Sequence, residues 1–131
     1  MLSTSLVVLE ELVGGAHLAY PEGGLLYTYT EAANQAHFRM PPTAASTLSS
    51  LERKAFSQFL QASQGDYTRD EPSNEFVAVE LNLMNALRAD TAFDEVSCAH
   101  EDGGTDIRFQ VFMARRSDSR YFSLDLWWSI D

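Results

Sequence analysis

The chain has 131 residues, of which 45% are apolar and 11% aromatic, and its formal net charge is −10. This composition is typical of one globular domain (residues 1–131) with a hydrophobic core, and it excludes a disordered chain. The negative charge argues against nucleic acid or an anionic membrane as a partner, since both are polyanions, and no apolar run reaches the roughly 18 residues that span a bilayer. It favours a protein partner with a basic surface, or simple solubility.

Cysteine usage and the N-terminus indicate where the chain works. Cys98 is the single cysteine, which excludes an internal disulfide framework. Residues 1–13 contain no Lys or Arg but include Glu10 and Glu11, whereas a secretory signal begins with a positive region. We therefore expect a cytoplasmic location. The basic residues are all arginine except Lys54, which indicates a GC-rich bacterial or phage genome.

The first predicted element is a helix of about ten residues. Ser3, Thr4 and Ser5 are available as caps, and Gly14-Gly15 is a stop signal. The apolar residues at helical spacing are Leu2, Leu6, Leu9 and Val13.

A short antiparallel hairpin or meander is predicted next. Residues 16–20 and 25–31 form its strands around the turn at residues 21–24, which contains Gly23-Gly24. Alternation in the second strand places Leu26, Thr28 and Thr30 on one face. Residues 36–40 can return as a third short strand, which Pro41-Pro42 would end.

Two central helices are predicted after that. Ser49 and Glu52 form a capping box for the first, which ends near Gly65. Residues 66–74 are polar and indicate an exposed loop. The pattern of residues 76–87 fits a strand or a helix, but a cap at residue 73 or 74 and helix-forming residues up to 89 favour the helix.

The last third of the chain, residues 93–131, predicts a three-stranded antiparallel meander. Its final two strands alternate strictly. Pairing Arg115 with Arg120 sets apolar residues opposite one another on one face of the sheet, which are Met113 and Phe122, Val111 and Leu124, Phe109 and Leu126, and Ile107 and Trp128. A turn within Asp102-Gly103-Gly104 would place Val96 and Cys98 on the same apolar face. The order of elements predicts an α+β fold.

No catalytic or metal motif stands out. Cys98 and His100 share a strand face, but no third group orients them, so a buried cysteine is the favoured interpretation. His17, His37 and His100 match no zinc spacing. Acidic clusters at residues 90–95 and 101–106 lack the calcium-loop pattern and indicate a solvated surface. We expect no metal, no cofactor and no enzymatic activity.

The other face of the meander is the candidate partner-binding surface. Aromatic side chains beside arginine and rimmed by acids are typical of interface hot spots. In the favoured register Arg108 lies opposite Trp127 and could stack on it. The alternative is that a helix covers this face. The candidate residues are Trp127, Tyr121, Phe112, Arg108, Asp125 and Glu95.

Size, charge and surface aromatics favour a small acidic cytoplasmic binding protein that inhibits or neutralises a macromolecule. Toxin-immunity proteins, antitoxins and phage-encoded inhibitors are of this type. A dimeric chaperone or adaptor is the second hypothesis. The third is a small enzyme or ligand-binding domain that uses the region of His17 and His37.

Overall fold

A computed structural model describes residues 2–32, 45–66 and 71–129. The order of elements in these residues confirms the α+β class, with a helix first and three strands at the C-terminal end. The helices are α1 (Thr4–Ala19), α2 (Ser50–Ser63) and α3 (Asn74–Thr91). The strands are β1 (Gly24–Ala32), β2 (Glu95–Asp102), β3 (Asp106–Arg115) and β4 (Arg120–Ser129).

The strands form one antiparallel sheet in the order β1-β4-β3-β2. The predicted register of the last two strands is confirmed, with Arg115 opposite Arg120 and Met113 opposite Phe122. The turn between β2 and β3 lies one residue later than a Gly103-Gly104 turn and two later than an Asp102-Gly103 turn, since the N–H of Gly103 donates to the carbonyl of Asp106 at 2.8 Å. Each one-residue displacement of the whole turn changes the register by two, so it leaves the faces of β2 unchanged.

The predicted N-terminal hairpin is wrong. Residues 16–19 continue α1 through Gly14-Gly15, and β1 pairs with β4 instead. Ala16 is fully buried in the core together with Leu12, and this burial outweighs the cost of two glycines within a helix. The predicted strand at residues 36–40 lies outside the described residues.

Gly15 also permits a close helix contact. A Cβ atom at this position would lie 1.9 Å from Oε1 of Gln64, whose Nε2 donates to the carbonyl of Leu12 at 2.8 Å. Gly15, part of the predicted stop signal, therefore allows α1 to contact the end of α2.

Both central helices are confirmed. The side chain of Ser49 accepts from the N–H of Glu52, and Glu52 accepts from the N–H of Ser49, which completes the predicted capping box. Residues 76–87 lie within α3, so the helical alternative is correct there.

α1 is capped from a distance. Asp90, near the end of α3, accepts hydrogen bonds from the N–H groups of Ser3, Thr4 and Ser5 at 2.8–3.0 Å. It also accepts from the hydroxyls of Ser3 and Ser5, so the predicted cap residues donate to Asp90 rather than capping the helix themselves. Burial opposes ionisation of Asp90, but these hydrogen bonds outweigh it and hold its pKa well below the usual range.

The described helices all pack on one side of the sheet, which we call the inner face. Phe56 of α2 stacks on Phe109 of β3 with ring centroids 4.5 Å apart. One core cluster joins the three helices to this face, and its sheet members include Leu25, Val96, Phe109, Val111, Met113, Phe122, Leu124, Leu126 and Trp128. The opposite side is the outer face, and no described helix lies over it.

Candidate functional site

All six predicted partner-binding residues lie on the outer face. Antiparallel pairing sets the residues of this face in rows that cross the strands. One row runs through Leu26, Trp127, Arg108 and Glu101, and the next through Thr28, Asp125, Gln110 and Ala99. Two further rows run through Thr30, Ser123, Phe112 and Ser97, and through Ala32, Tyr121, Ala114 and Glu95. A fifth row, on the other side of the Trp127 row, runs through Gly24, Ser129 and Asp106.

Exposure divides the outer face into two regions. Tyr121 and Ser123 retain only 5% and 7% of their accessible surface, whereas Trp127 retains 37% and Leu26 retains 61%. We call the region of Ala114, Tyr121, Ser123, Phe112 and Glu95 the closed end. The region of Leu26, Thr28, Asp125, Trp127 and Arg108 is the open end.

The closed end is held together by internal contacts. The guanidinium of Arg116 donates to both carboxylate oxygens of Glu95 at 2.7 and 2.8 Å and lies 5.9 Å from the ring centroid of Tyr121. The hydrogen bonds from Arg116 lower the pKa of Glu95. Phe112 packs beside Ala114 and Tyr121. Three of the six candidates thus already have partners within the chain.

The open end is centred on Trp127. Its indole N–H donates to Oδ2 of Asp106 at 2.9 Å. Next to the ring is a hollow of about 180 Å³, lined by Gly23, Gly24, Leu25, Leu26, Trp127 and Ser129. A fixed aromatic ring beside a small apolar hollow is suited to receive a side chain of another molecule.

Two charges at the open end have no ion-pair partner among the residues that the structure describes. Oδ1 of Asp125 is buried without a hydrogen bond, and among the described residues neither Asp125 nor Arg108 forms an ion pair. The proposed stacking of Arg108 on Trp127 is not found in the described structure. Arginines lie instead over Phe93, Phe122 and Tyr121.

Cys98 lies on the inner face next to Glu52. Burial and the carboxylate of Glu52, 3.5 Å from the sulfur, raise the pKa of the thiol to about 12. A thiolate nucleophile needs a lowered pKa, so this environment disfavours the reactive pair with His100. His100 stacks on Phe109 with ring centroids 6.1 Å apart.

The histidines and acidic side chains that the sequence singled out lie at different places in the described structure. His17 lies exposed on α1, His100 lies on β2, and His37 is outside the described residues. Asp94 accepts from the N–H of Arg116, and Asp102 accepts from the N–H of Gly104. Within the described ranges, no three His, Cys, Asp or Glu residues are grouped so that they could hold a metal ion.

A second concave site lies on the helix side, between α2 and the β2–β3 hairpin. It has a volume of about 260 Å³. Its walls include Phe59, Ile107 and Phe109, and its polar rim consists of Gln58, Asp66, His100 and Asp102. Apolar walls with a few polar groups are typical of a small-ligand pocket.

Sequence reasoning missed several residues that matter. The sequence pattern predicts a separate hairpin for Leu26, although it gives the correct alternation there, and it predicts a solvated acidic cluster for Asp106. Glu80 is only 1% exposed and pairs with Nε of Arg53 at 3.2 Å, while its burial raises its pKa. Its place in the apolar stripe of α3, one turn before Leu83 and Met84, was the available signal.

Comparison with known proteins gives no match: no protein family, curated protein or solved structure corresponds to this chain. None of the helices in the described ranges is long and apolar enough to cross a membrane.

Proposed function

We propose that this protein is a small acidic binding protein that inhibits or neutralises a macromolecular partner with a basic surface, in the manner of immunity proteins, antitoxins or phage inhibitors. The single observation that supports this most is Trp127, which is exposed at the open end of a sheet face that no described helix covers. The single free cysteine favours a cytoplasmic location.

Two physical features support this proposal, which are the exposed side chain of Trp127 and the negative net charge of the chain. An exposed tryptophan supplies large apolar area, and the hydrogen bond to Asp106 limits the freedom that Trp127 would lose on binding. The net charge of −10 would accelerate encounter with a basic partner and repel acidic ones. Neither the exposed ring of Trp127 nor the net charge contributes to the packing of the hydrophobic core.

The test begins with identification of the partner by affinity capture from the native host and mass spectrometry. The purified pair is then measured by calorimetry. Trp127→Ala should weaken binding by about 2 kcal/mol or more, because a central aromatic anchor is lost. Leu51→Ala is the control, since this α2 residue is 80% exposed but is not on the sheet. Equal affinities for the wild type and Trp127→Ala would refute binding at the open end.

A small-ligand-binding domain is the second candidate, and the pocket of about 260 Å³ beside α2 favours it. The site differs from the expected one around His17 and His37. Ala62 lines this pocket, so Ala62→Leu would reduce its volume. Loss of a metabolite-induced rise in the melting temperature in this variant, with partner binding intact, would support the ligand-binding function instead.

A further inference from the structure

We propose that the open end is a receptor for one arginine side chain of the basic partner, with its guanidinium stacked on Trp127 and hydrogen-bonded to Asp125. This inference depends on the proposed function, because the arginine belongs to that partner. It specifies the chemistry that the surface would recognise.

The ring of Trp127 is held in place by its hydrogen bond to Asp106. Asp106 accepts the indole N–H of Trp127, and its Oδ1 lies where a side chain at position 103 would be. A Cβ atom at Gly103 would come within 2.4 Å of that oxygen. Gly103 therefore allows Asp106 to reach Trp127. Hydrogen bonding of the N–H to a carboxylate also makes the ring a better acceptor for a cation, because it polarises the indole.

Asp125 supplies the charge. It lies two residues before Trp127 on the same face of β4, so both side chains project from the sheet side by side. Its Oδ1 is buried with no hydrogen-bond partner, which is costly for a carboxylate. The side chain as a whole is half-buried, so a donor can reach the carboxylate from solvent. A cation bound there would compensate the desolvated charge.

The other charges around the ring decide which cation fits. Asp106, Asp125 and Glu101 are negative, and Arg108 is the one positive residue in the three rows to which they belong. Arginine suits this site better than lysine because its planar guanidinium can stack on indole while one of its N–H groups donates to a carboxylate oxygen. The unpaired Arg108 would select a partner in which an acidic residue accompanies that arginine.

The test uses N-acetyl-arginine N-methylamide as the probe and the two indole N–H signals in an NMR titration. The signal of Trp127 should shift and saturate, whereas that of Trp128, buried on the inner face, should not move. The neutral citrulline analogue should bind at least about ten-fold more weakly, as expected for loss of a charge-assisted hydrogen bond. Equal binding of the two probes would overturn the proposal.

Two variants separate charge from position. Asp125→Asn should weaken arginine binding about ten-fold, while Glu11→Gln, the same charge change on α1, should leave it unchanged. Gly103→Ala should displace Asp106, move the Trp127 signal in the free protein and weaken arginine binding, with little change in stability. Gly14→Ala is its control, because no atom lies within 4 Å of the added Cβ. Unchanged affinity in Asp125→Asn would contradict the proposal.

The outcomes distinguish this inference from the proposed function. If Trp127→Ala abolishes partner binding but Asp125→Asn does not, and the arginine probe fails to bind, the surface stands and the arginine receptor is wrong. If the probe binds through Asp125 while Trp127→Ala leaves partner affinity unchanged, the receptor stands and partner binding at this surface is wrong.

Discussion

Trp127 and Trp128 are adjacent in β4 but belong to different environments. Trp128 is 3% exposed on the inner face and meets Tyr20 edge-on at 5.6 Å, whereas Trp127 is 37% exposed on the outer face. The alternation of a strand sends one ring into the core and the other towards solvent. The helix side of this sheet is therefore packed into the core, whereas the open end of the outer face leaves a large aromatic side chain exposed.

The largest expected effect is on the free energy of unfolding, and it tests the contrast between Trp127 and Trp128 directly. Trp128→Ala should reduce the free energy of unfolding by about 3–5 kcal/mol, because it leaves a cavity in the core. Trp127→Ala should change it by less than about 1 kcal/mol, as is usual for surface substitutions. Urea unfolding followed by circular dichroism measures both. A large loss in Trp127→Ala would mean that the ring is a structural element, and the open end would cease to be a candidate site.

The next effect concerns the helix side and its remote cap. Asp90→Asn should reduce the free energy of unfolding by about 1–2 kcal/mol, because the amide group sets donors against the N–H groups at the start of α1. The hydrogen bonds lower the pKa of Asp90 in the folded state, so its contribution is present above the unfolded pKa, near 3.8, and is lost as the pH falls below it. The variant should therefore show a flatter decline of stability in acid.

Unfolding curves collected from neutral pH down to about pH 2 test this point. Glu11→Gln serves as a matched control, because Glu11 is exposed on α1 and accepts none of the hydrogen bonds that cap the helix. If Asp90→Asn and the wild type lose stability with identical slopes, Asp90 is not the cap that the geometry indicates.

The sequence predicted correctly those elements whose packing partners lie close to them along the chain. The register of β3 and β4 followed from alternation, because a shift by one residue would bring Arg108 and Gln110 onto the apolar face. The pairing of β1 with β4 joins residues far apart in the chain, and no local signal reveals it. The glycine pair in α1 was misinterpreted for a related reason, since its partner Gln64 belongs to another helix.

The candidate site shows the same division. Alternation alone placed Trp127, Arg108 and Asp125 on one face of the sheet. It could not show that Arg116 pairs with Glu95 at the closed end, because that contact depends on a side chain from the turn after β3. Leu26 and Asp106 join the open end only after β1 and the β2–β3 turn take their places.

A third prediction compares two neighbouring glycines of α1. Gly14→Ala should stabilise the protein by up to about 1 kcal/mol, because alanine favours helix and the added Cβ meets no atom within 4 Å. Gly15→Ala has the same advantage but displaces the amide of Gln64, so it should show no net gain. Thermal and urea unfolding should separate the variants by about 1 kcal/mol. In a Gln64→Ala background the two substitutions should become equivalent, and a persisting difference would exclude Gln64 as the cause.

The smallest change in stability is expected at Cys98, on the inner face but at its margin. Cys98→Ser retains a donor towards Glu52, so the free energy of unfolding should change by less than about 1 kcal/mol and partner binding should be unaffected.

Because the pKa of the thiol is raised to about 12, only about one molecule in ten thousand carries a thiolate at pH 8. Alkylation by iodoacetamide in the native protein should therefore be slower than in urea by roughly two orders of magnitude, since an ordinary thiol has a pKa near 8.5 and the greater nucleophilicity of a high-pKa thiolate offsets part of its lower abundance. Glu52→Gln removes the neighbouring charge and should accelerate the native reaction. Rapid alkylation of the folded wild type, or loss of partner binding in a stable Cys98→Ser variant, would show that the helix side carries chemistry as well as stability.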